Sequence, residues 1–237
     1  MTSFYRKQFT EKTVQLIHER TIPGTFQIHI FDNGSDKETR DFLYGLLDTG
    51  KIASLHLDSR NTGCLYNKGV FHIMTEVTSK YYIVTDNDIY PPKLDPDWLT
   101  QILGIMEEHP ELAFLTPQLP PVQLQMPYQK LDDIIYCKAV GNTFKVVRRE
   151  AFPLEEFKPQ LMKFGDDGWV SDAVHKKGWK VAFCKDLFCW HAGQCENWGY
   201  TKQEELDKDP RKAGYGAPFI YQPNNELTYE PPEHLRF

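Results

Sequence analysis

Between Phe26 and Thr116, short runs of β-branched and aromatic residues alternate with longer stretches of helical periodicity, and this alternation leaves few architectures open. The runs Phe26-Gln-Ile-His-Ile-Phe31, Ile52-Ala-Ser-Leu-His-Leu57, Tyr81-Tyr-Ile-Val-Thr85 and Leu112-Ala-Phe-Leu-Thr116 read as strands. Strand and helix in turn predict an α/β fold: an open, mainly parallel mixed sheet flanked by helices.

The intervening segments supply helix signals. From Arg6 to Arg20, Phe9, Thr13, Leu16 and Ile17 fall on one helical face, and Pro23-Gly24 ends it. The polar turn Asp32-Asn-Gly-Ser-Asp36 caps a helix through Leu43, Leu46 and Leu47, and another spans Leu65 to Thr78. Asp95 reads as an N-cap with Pro96 at the first helical position, and His109-Pro110 stops that helix. Residues 117–128, rich in Pro and Gln, read as a long surface loop. Strands are expected at Ile134–Cys137, Thr143–Val147 and Lys180–Cys184, with a helix from the Phe164–Gly168 turn to Lys177 and Gly178 as its stop.

Composition narrows the function classes. With 237 residues, 41% hydrophobic content and 15 Phe, the chain can bury one good-sized core. A formal net charge of −6 gives no general attraction for nucleic acid or an anionic membrane. The five cysteines are odd in number and form no CxxC pair, so neither a disulfide framework nor a zinc ribbon is indicated; they read as buried thiols in a reducing compartment. No apolar run reaches transmembrane length, and a soluble, cytoplasmic protein is expected, peripheral to a membrane at most.

Acidic and histidine residues recur at predicted strand ends and helix starts: Asp32, the Asp86/Asp88 pair, Asp166/Asp167 and His191. In an open α/β sheet, ligands bind at the carboxyl ends of the strands, and a parallel sheet puts Asp32 and Asp86/Asp88 along that one edge. Carboxylates one residue apart can aim at one hard cation. An oxygen-rich site completed by one imidazole suits Mn2+ or Mg2+ better than structural zinc. Each residue also has a plainer reading. Asp32 and Asp167 suit helix caps, Asp86-Asn-Asp88 an ordinary turn, and His191 a hydrogen-bonded core histidine.

Asp32-Asn-Gly-Ser-Asp36, Asn67-Lys-Gly69, Asp86-Asn-Asp88, Gly165-Asp-Asp167 followed by Gly178-Trp-Lys180, and the late His191 occur in an order that resembles family 2 glycosyltransferases of the GT-A fold. The likeness spans about Ser3 to Gly193. It implies a nucleotide-diphosphate sugar as donor, UDP-linked by default, a divalent metal (Mn2+ or Mg2+), and inverting sugar transfer to a glycan, lipid-linked or protein acceptor. On this resemblance Asp32, Asn33, Asn67, Asp86 and Asn87 line the donor site, Asp88 and His191 hold the cation, and Asp167 is the catalytic base. One carboxylate and a metal-stabilised leaving group suffice for a single displacement, whereas retaining glycosidases need a nucleophile and an acid.

The family also has a first strand ahead of a Thr-Tyr-Asn-Arg-like segment, to which Ser3-Phe-Tyr-Arg6 is similar; Met1 comes too late to hold that strand. Residues 1–200 are therefore expected to form a GT-A domain whose first strand is missing or truncated, and 201–237 an extension near the acceptor side that could act as a lid. Two rival readings stand: a non-catalytic binding or assembly module on the same fold, and a nucleotidyltransferase. The latter usually carries a glycine- and basic-rich phosphate loop near the amino terminus, and none is seen.

Overall fold

The computed structural model describes residues 1–59, 68–119, 127–152 and 167–195. The elements in chain order are β1 (Thr2–Ser3), α1 (Lys7–Arg20), β2 (His29–Asp32), α2 (Lys37–Asp48), β3 (Ser54–Leu57), α3 (Lys68–Glu76), β4 (Tyr81–Thr85), β5 (Ile89–Tyr90) and α4 (Trp98–Glu108). There follow β6 (Leu112–Gln118), β7 (Pro127–Lys130), β8 (Ile134–Cys137), β9 (Phe144–Arg148), α5 (Asp167–His175), β10 (Lys180–Phe188), β11 (Trp190–His191) and α6 (Ala192–Cys195).

Three parallel strands in the order β1-β2-β3 adjoin six in the order β4-β9-β6-β10-β8-β7. A parallel bridge between Thr2 and Asp86, the residue after β4, joins the two groups. Because β9 is antiparallel to both β4 and β6, and β10 parallels β6, only β9 and β8 run against the common direction. The sheet is mainly parallel, as the alternation predicts. Asp32 and Asp86 consequently stand at the same carboxyl edge.

The cores form on the two sheet faces. One gathers Phe114, Val147, Phe152, Val170 and Val181, and the other Ile102, Met106, Leu115, Val146 and Ala182. Alternate residues of β6 and β9 thus serve opposite faces, the period of two expected of strands buried on both sides. The buried Arg148 ties the end of α4 to the sheet. Its Nε donates to the Leu112 carbonyl at 2.8 Å and its Nη2 to the carbonyls of Met106 and His109, capping helix carbonyls that have no partner within α4.

Three local expectations are corrected. The cap of α4 is Asp97, not Asp95: its Oδ1 accepts from the Leu99 and Thr100 amides at 3.0 and 3.4 Å, and Pro96 lies ahead of the helix. Either aspartate flanking a proline satisfies the sequence signal, and only the backbone decides. The segment 117–128 is not one loop, since Pro117 and Gln118 end β6 and Pro127 and Tyr128 begin β7; 120–126 lie outside the described residues. Phe26–Ile28 precede rather than form β2, although Ile28 is buried.

At the amino terminus, where the first strand is expected to be missing or truncated, the two-residue β1 pairs Thr2 with Phe31 and Ser3 with Asp32. The Met1 α-amino group donates to the His29 carbonyl at 2.8 Å, and burial lowers its pKa to about 6 against the opposing pull of Asp86. An apolar cavity of about 450 Å³ lies beside this stub, lined by Met1, Ile28, Phe31, Met74, Tyr82 and Phe144 among others. None of Asp32, Asp88 and His191 lines it.

Candidate functional site

The chemistry-bearing residues meet where β4 gives way to β5. Two two-residue strands make the junction: β5 pairs antiparallel with β11, placing His191 opposite Ile89 and Trp190 opposite Tyr90. The Ala192 amide donates to the Asp88 carbonyl at 2.9 Å and fixes the register. Helix α1 packs over this ribbon through Phe9 and Leu16, which cluster with Tyr90 and Ala192. The far end of α1 is held as well, because Arg20 Nη1 donates to the Pro91 carbonyl at 2.7 Å.

Asp88 is the centre. Its side chain is 1% exposed, and its Oδ2 accepts from Arg6 Nη1 at 2.8 Å. His191 Nε2 stands 3.7 Å from the same oxygen, in ion-pair range but beyond a hydrogen bond. Oδ1 is buried without a hydrogen-bond partner among the described residues. Burial by itself would raise the Asp88 pKa, but His191 and the Arg6 guanidinium outweigh it and bring the carboxyl down to about 2.

Arg6 is the residue that the motif reading missed. It and Tyr5 have φ of 52° and 49°, in the left-handed region that non-glycine residues rarely adopt. Such backbone costs on the order of 1 kcal/mol or more per residue and persists only where surrounding contacts impose it. Here the Tyr5 amide donates to Ser35 Oγ at 2.8 Å, and the Arg6 carbonyl accepts from Phe9 N at 3.0 Å as α1 begins. Gly193 is the second missed residue. A Cβ there would lie 2.1 Å from Asp88 Oδ2 and 2.9 Å from Arg6 Nη1, so only glycine lets α6 pass this close to the carboxylate.

Asn87 is committed to the scaffold. Its Oδ1 accepts from Arg6 Nη2 at 3.2 Å, its Nδ2 donates to Thr10 Oγ1 at 2.8 Å, and its carbonyl accepts from Thr13 Oγ1 at 2.7 Å. Asp32 is fully buried at the end of β2. Its Oδ2 accepts from the Ser35 amide at 3.0 Å and lies 3.6 Å from Arg40 Nε, while Oδ1 accepts from Ser35 Oγ. Burial raises its pKa against those partners. The helix that follows is capped by Asp36, whose Oδ1 accepts from the Thr39 amide at 2.9 Å. Asn33 is buried beside Asp32, its amide donating to the Ser3 carbonyl at 2.8 Å. Asp86 is half-buried, and its amide donates to the Thr143 carbonyl at 2.9 Å.

The fold thus brings Asp88, Asn87 and His191 together with Arg6, and sets Asp32, Asn33 and Asp86 on the neighbouring strand ends. Asp167 is the first residue of α5, but its side chain and the whole of Asn67 lie outside the described residues, as does the extension 201–237. A divalent cation fits what is present: a buried carboxylate oxygen lacking a partner beside an imidazole is a donor set of the kind Mn2+ takes.

No protein-family model matches the chain, and no curated protein matches it by sequence. By structure it is similar to S. aureus TarS, at 13% identity and a TM-score of 0.59, over 81% of this chain and 35% of that one. It is similar to the mannosyltransferase PcManGT from Pyrobaculum calidifontis in complex with GDP-Man and Mn2+, at 14% identity and a TM-score of 0.58, over 81% of this chain and 55% of that one. GalNAc-T7 with UDP, GalNAc and Mn2+ matches at 15% identity and a TM-score of 0.57, over 76% and 40%. The chain spans 35% to 55% of the length of these three structures. Strand order, direction and these likenesses agree: this chain has the GT-A fold of glycosyltransferases.

Proposed function

We propose that the chain is a metal-dependent, inverting glycosyltransferase of the family 2 type, moving a sugar from a nucleotide-diphosphate donor to an acceptor hydroxyl. The observation that carries this reading is Asp88: a carboxylate buried at the carboxyl edge of the sheet, with one oxygen unpartnered among the described residues and an imidazole beside it. Leaving a buried acceptor unmet costs about 1–3 kcal/mol, and such groups cluster at functional sites. The similar structures include proteins solved with GDP-Man and Mn2+ and with UDP and Mn2+, which supports the same ligand class here.

In this reading Asp88 and His191 hold the cation, Mn2+ or Mg2+, which when bound neutralises the departing diphosphate. Asp32 and Asn33 face the nucleoside, Asp86 the ribose and sugar, and Asn67 the donor. Asn87 serves the donor site indirectly, by fixing Arg6. Asp167 takes the proton of the acceptor hydroxyl as its oxygen attacks the anomeric carbon and the bond to diphosphate breaks, so one displacement inverts that carbon. UDP is the default nucleotide, the acceptor is a glycan, lipid-linked or protein hydroxyl, and the reaction is placed in the cytoplasm. No helix among the described residues is long and apolar enough to cross a membrane.

The Arg6–Asp88 pair supports a second reading, a GT-A module that no longer turns over, because a guanidinium already neutralises the carboxylate. Product analysis separates the readings. The full chain is incubated with UDP- and GDP-sugars, Mn2+ and a panel of acceptors. Release of nucleoside diphosphate with a glycosylated product is expected. A parallel incubation with nucleoside triphosphates and sugar 1-phosphates that releases pyrophosphate would indicate a nucleotidyltransferase, and no product with retained donor binding would indicate the non-catalytic module.

A further inference from the structure

On the face of the first sheet that packs against α3, opposite the face that packs against α1, three metal-ligating side chains from two elements converge. His72 and Glu76 stand four residues apart on α3 and therefore share a face, their Nε2 and Oε1 separated by 3.0 Å. His56, on β3, brings its Nε2 to 3.4 Å from the other Glu76 oxygen, Oε2. The two imidazole rings meet edge to face at a centroid distance of 4.9 Å. One ligand atom from each of the three residues lies within 4.8 Å of the others.

We infer that His56, His72 and Glu76 form a second metal site, selective for a borderline transition ion such as Zn2+, and separate from the cation site at Asp88. Four-coordinate zinc takes nitrogen and oxygen donors at about 2.0–2.1 Å, so its ligand atoms sit roughly 3.4 Å apart, close to the spacings found here. Two imidazoles and one carboxylate suit Zn2+ and its first-row neighbours rather than Mg2+ or Mn2+. The side chains are 25%, 57% and 46% exposed for His56, His72 and Glu76, which leaves an entry path and room for water as a fourth ligand. His29 lies on the same sheet face, since it pairs with Ser54 while Phe31 pairs with His56. Its Nδ1 is engaged with Ser54 Oγ at 2.8 Å, which orients the ring as a supporting group does around a metal. A bound ion would pin the last turn of α3 to β3.

The test is titration of the full chain, free of nucleotide, with Zn2+ and with Co2+ as its spectroscopic stand-in, in the wild type, His72→Ala, Glu76→Gln and Asp88→Asn. The expected result is Zn2+ binding that raises the melting temperature and persists in Asp88→Asn, with the intense visible bands of four-coordinate Co2+. Affinity should fall at least tenfold in His72→Ala and in Glu76→Gln and stay unchanged in Asp88→Asn. Both α3 substitutions are at exposed positions, and an unshifted metal-free melting temperature checks that they fold. Absence of binding in the wild type, or wild-type affinity in both α3 variants, would overturn the assignment.

Discussion

Arg6 and Asp88, 82 positions apart in the chain, meet at 2.8 Å inside a contact that is almost closed to solvent. Replacing Arg6 by Met would leave the Asp88 carboxylate buried, with His191 as its remaining charged neighbour among the described residues. Breaking a buried pair by removing one partner costs about 3–5 kcal/mol. Arg6→Met is therefore expected to melt well below wild type in chelator and to recover a large part of the difference when Mn2+ is added. Thermal unfolding with and without the ion checks this. A variant as stable as wild type in chelator would show that the pair contributes nothing.

Gly193 offers a steric test of the same centre. The methyl of Ala would meet Asp88 Oδ2 at 2.1 Å, and that oxygen is held on a short buried side chain by Arg6. Gly193→Ala should cost about 1–3 kcal/mol as an overpacked site and weaken metal-dependent nucleotide binding at least tenfold. Melting curves and a binding titration read the two effects. Wild-type values for both would mean that the Asp88 side chain is free to swing away.

Acid unfolding should carry the signature of Asp88. Its carboxyl has a pKa near 3.8 unfolded and about 2 folded, the lower value favouring the charged form in the native state. The resulting stabilisation is present above about pH 4 and is lost as the pH falls through about 2. The wild type minus Asp88→Asn stability difference should shrink over that window and be flat between pH 5 and 7. A difference that is constant down to pH 2 would contradict the depressed value.

The proposed catalytic base is tested apart from the binding site. Asp167→Asn keeps the shape at the start of α5 but cannot accept the proton of the acceptor hydroxyl. Transfer should drop by at least a thousandfold while donor affinity, measured by titration in Mn2+, stays within about threefold. Near-normal turnover would remove Asp167 from that role.

Much of this fold is legible in the sequence because periodicity reports burial. The stripe of Phe9, Thr13 and Leu16 marks the buried face of α1, and the apolar run at Tyr81 marks β4. Asp36 caps α2 from within the predicted turn. The site is less legible. Strands β5 and β11 have two residues each, too short to show any period, yet their pairing is what brings His191 to Asp88. Arg6 acts through a left-handed backbone that no composition rule flags in an arginine, and Gly193 is needed only because a carboxylate passes behind it. Asp32 shows the opposite case: the motif marks it, and the structure adds Ser35 and Arg40 as partners that the motif does not name.

The central claim is a metal-dependent nucleotide site at Asp88. Calorimetric titration of the full chain with UDP, GDP and their sugars, first with Mn2+ and then with chelator, addresses it most directly. Binding of one nucleotide class in Mn2+, lost in chelator and in Asp88→Ala, is the predicted result. Nucleotide binding that persists unchanged in chelator and in Asp88→Ala, or no binding across the panel, would contradict it.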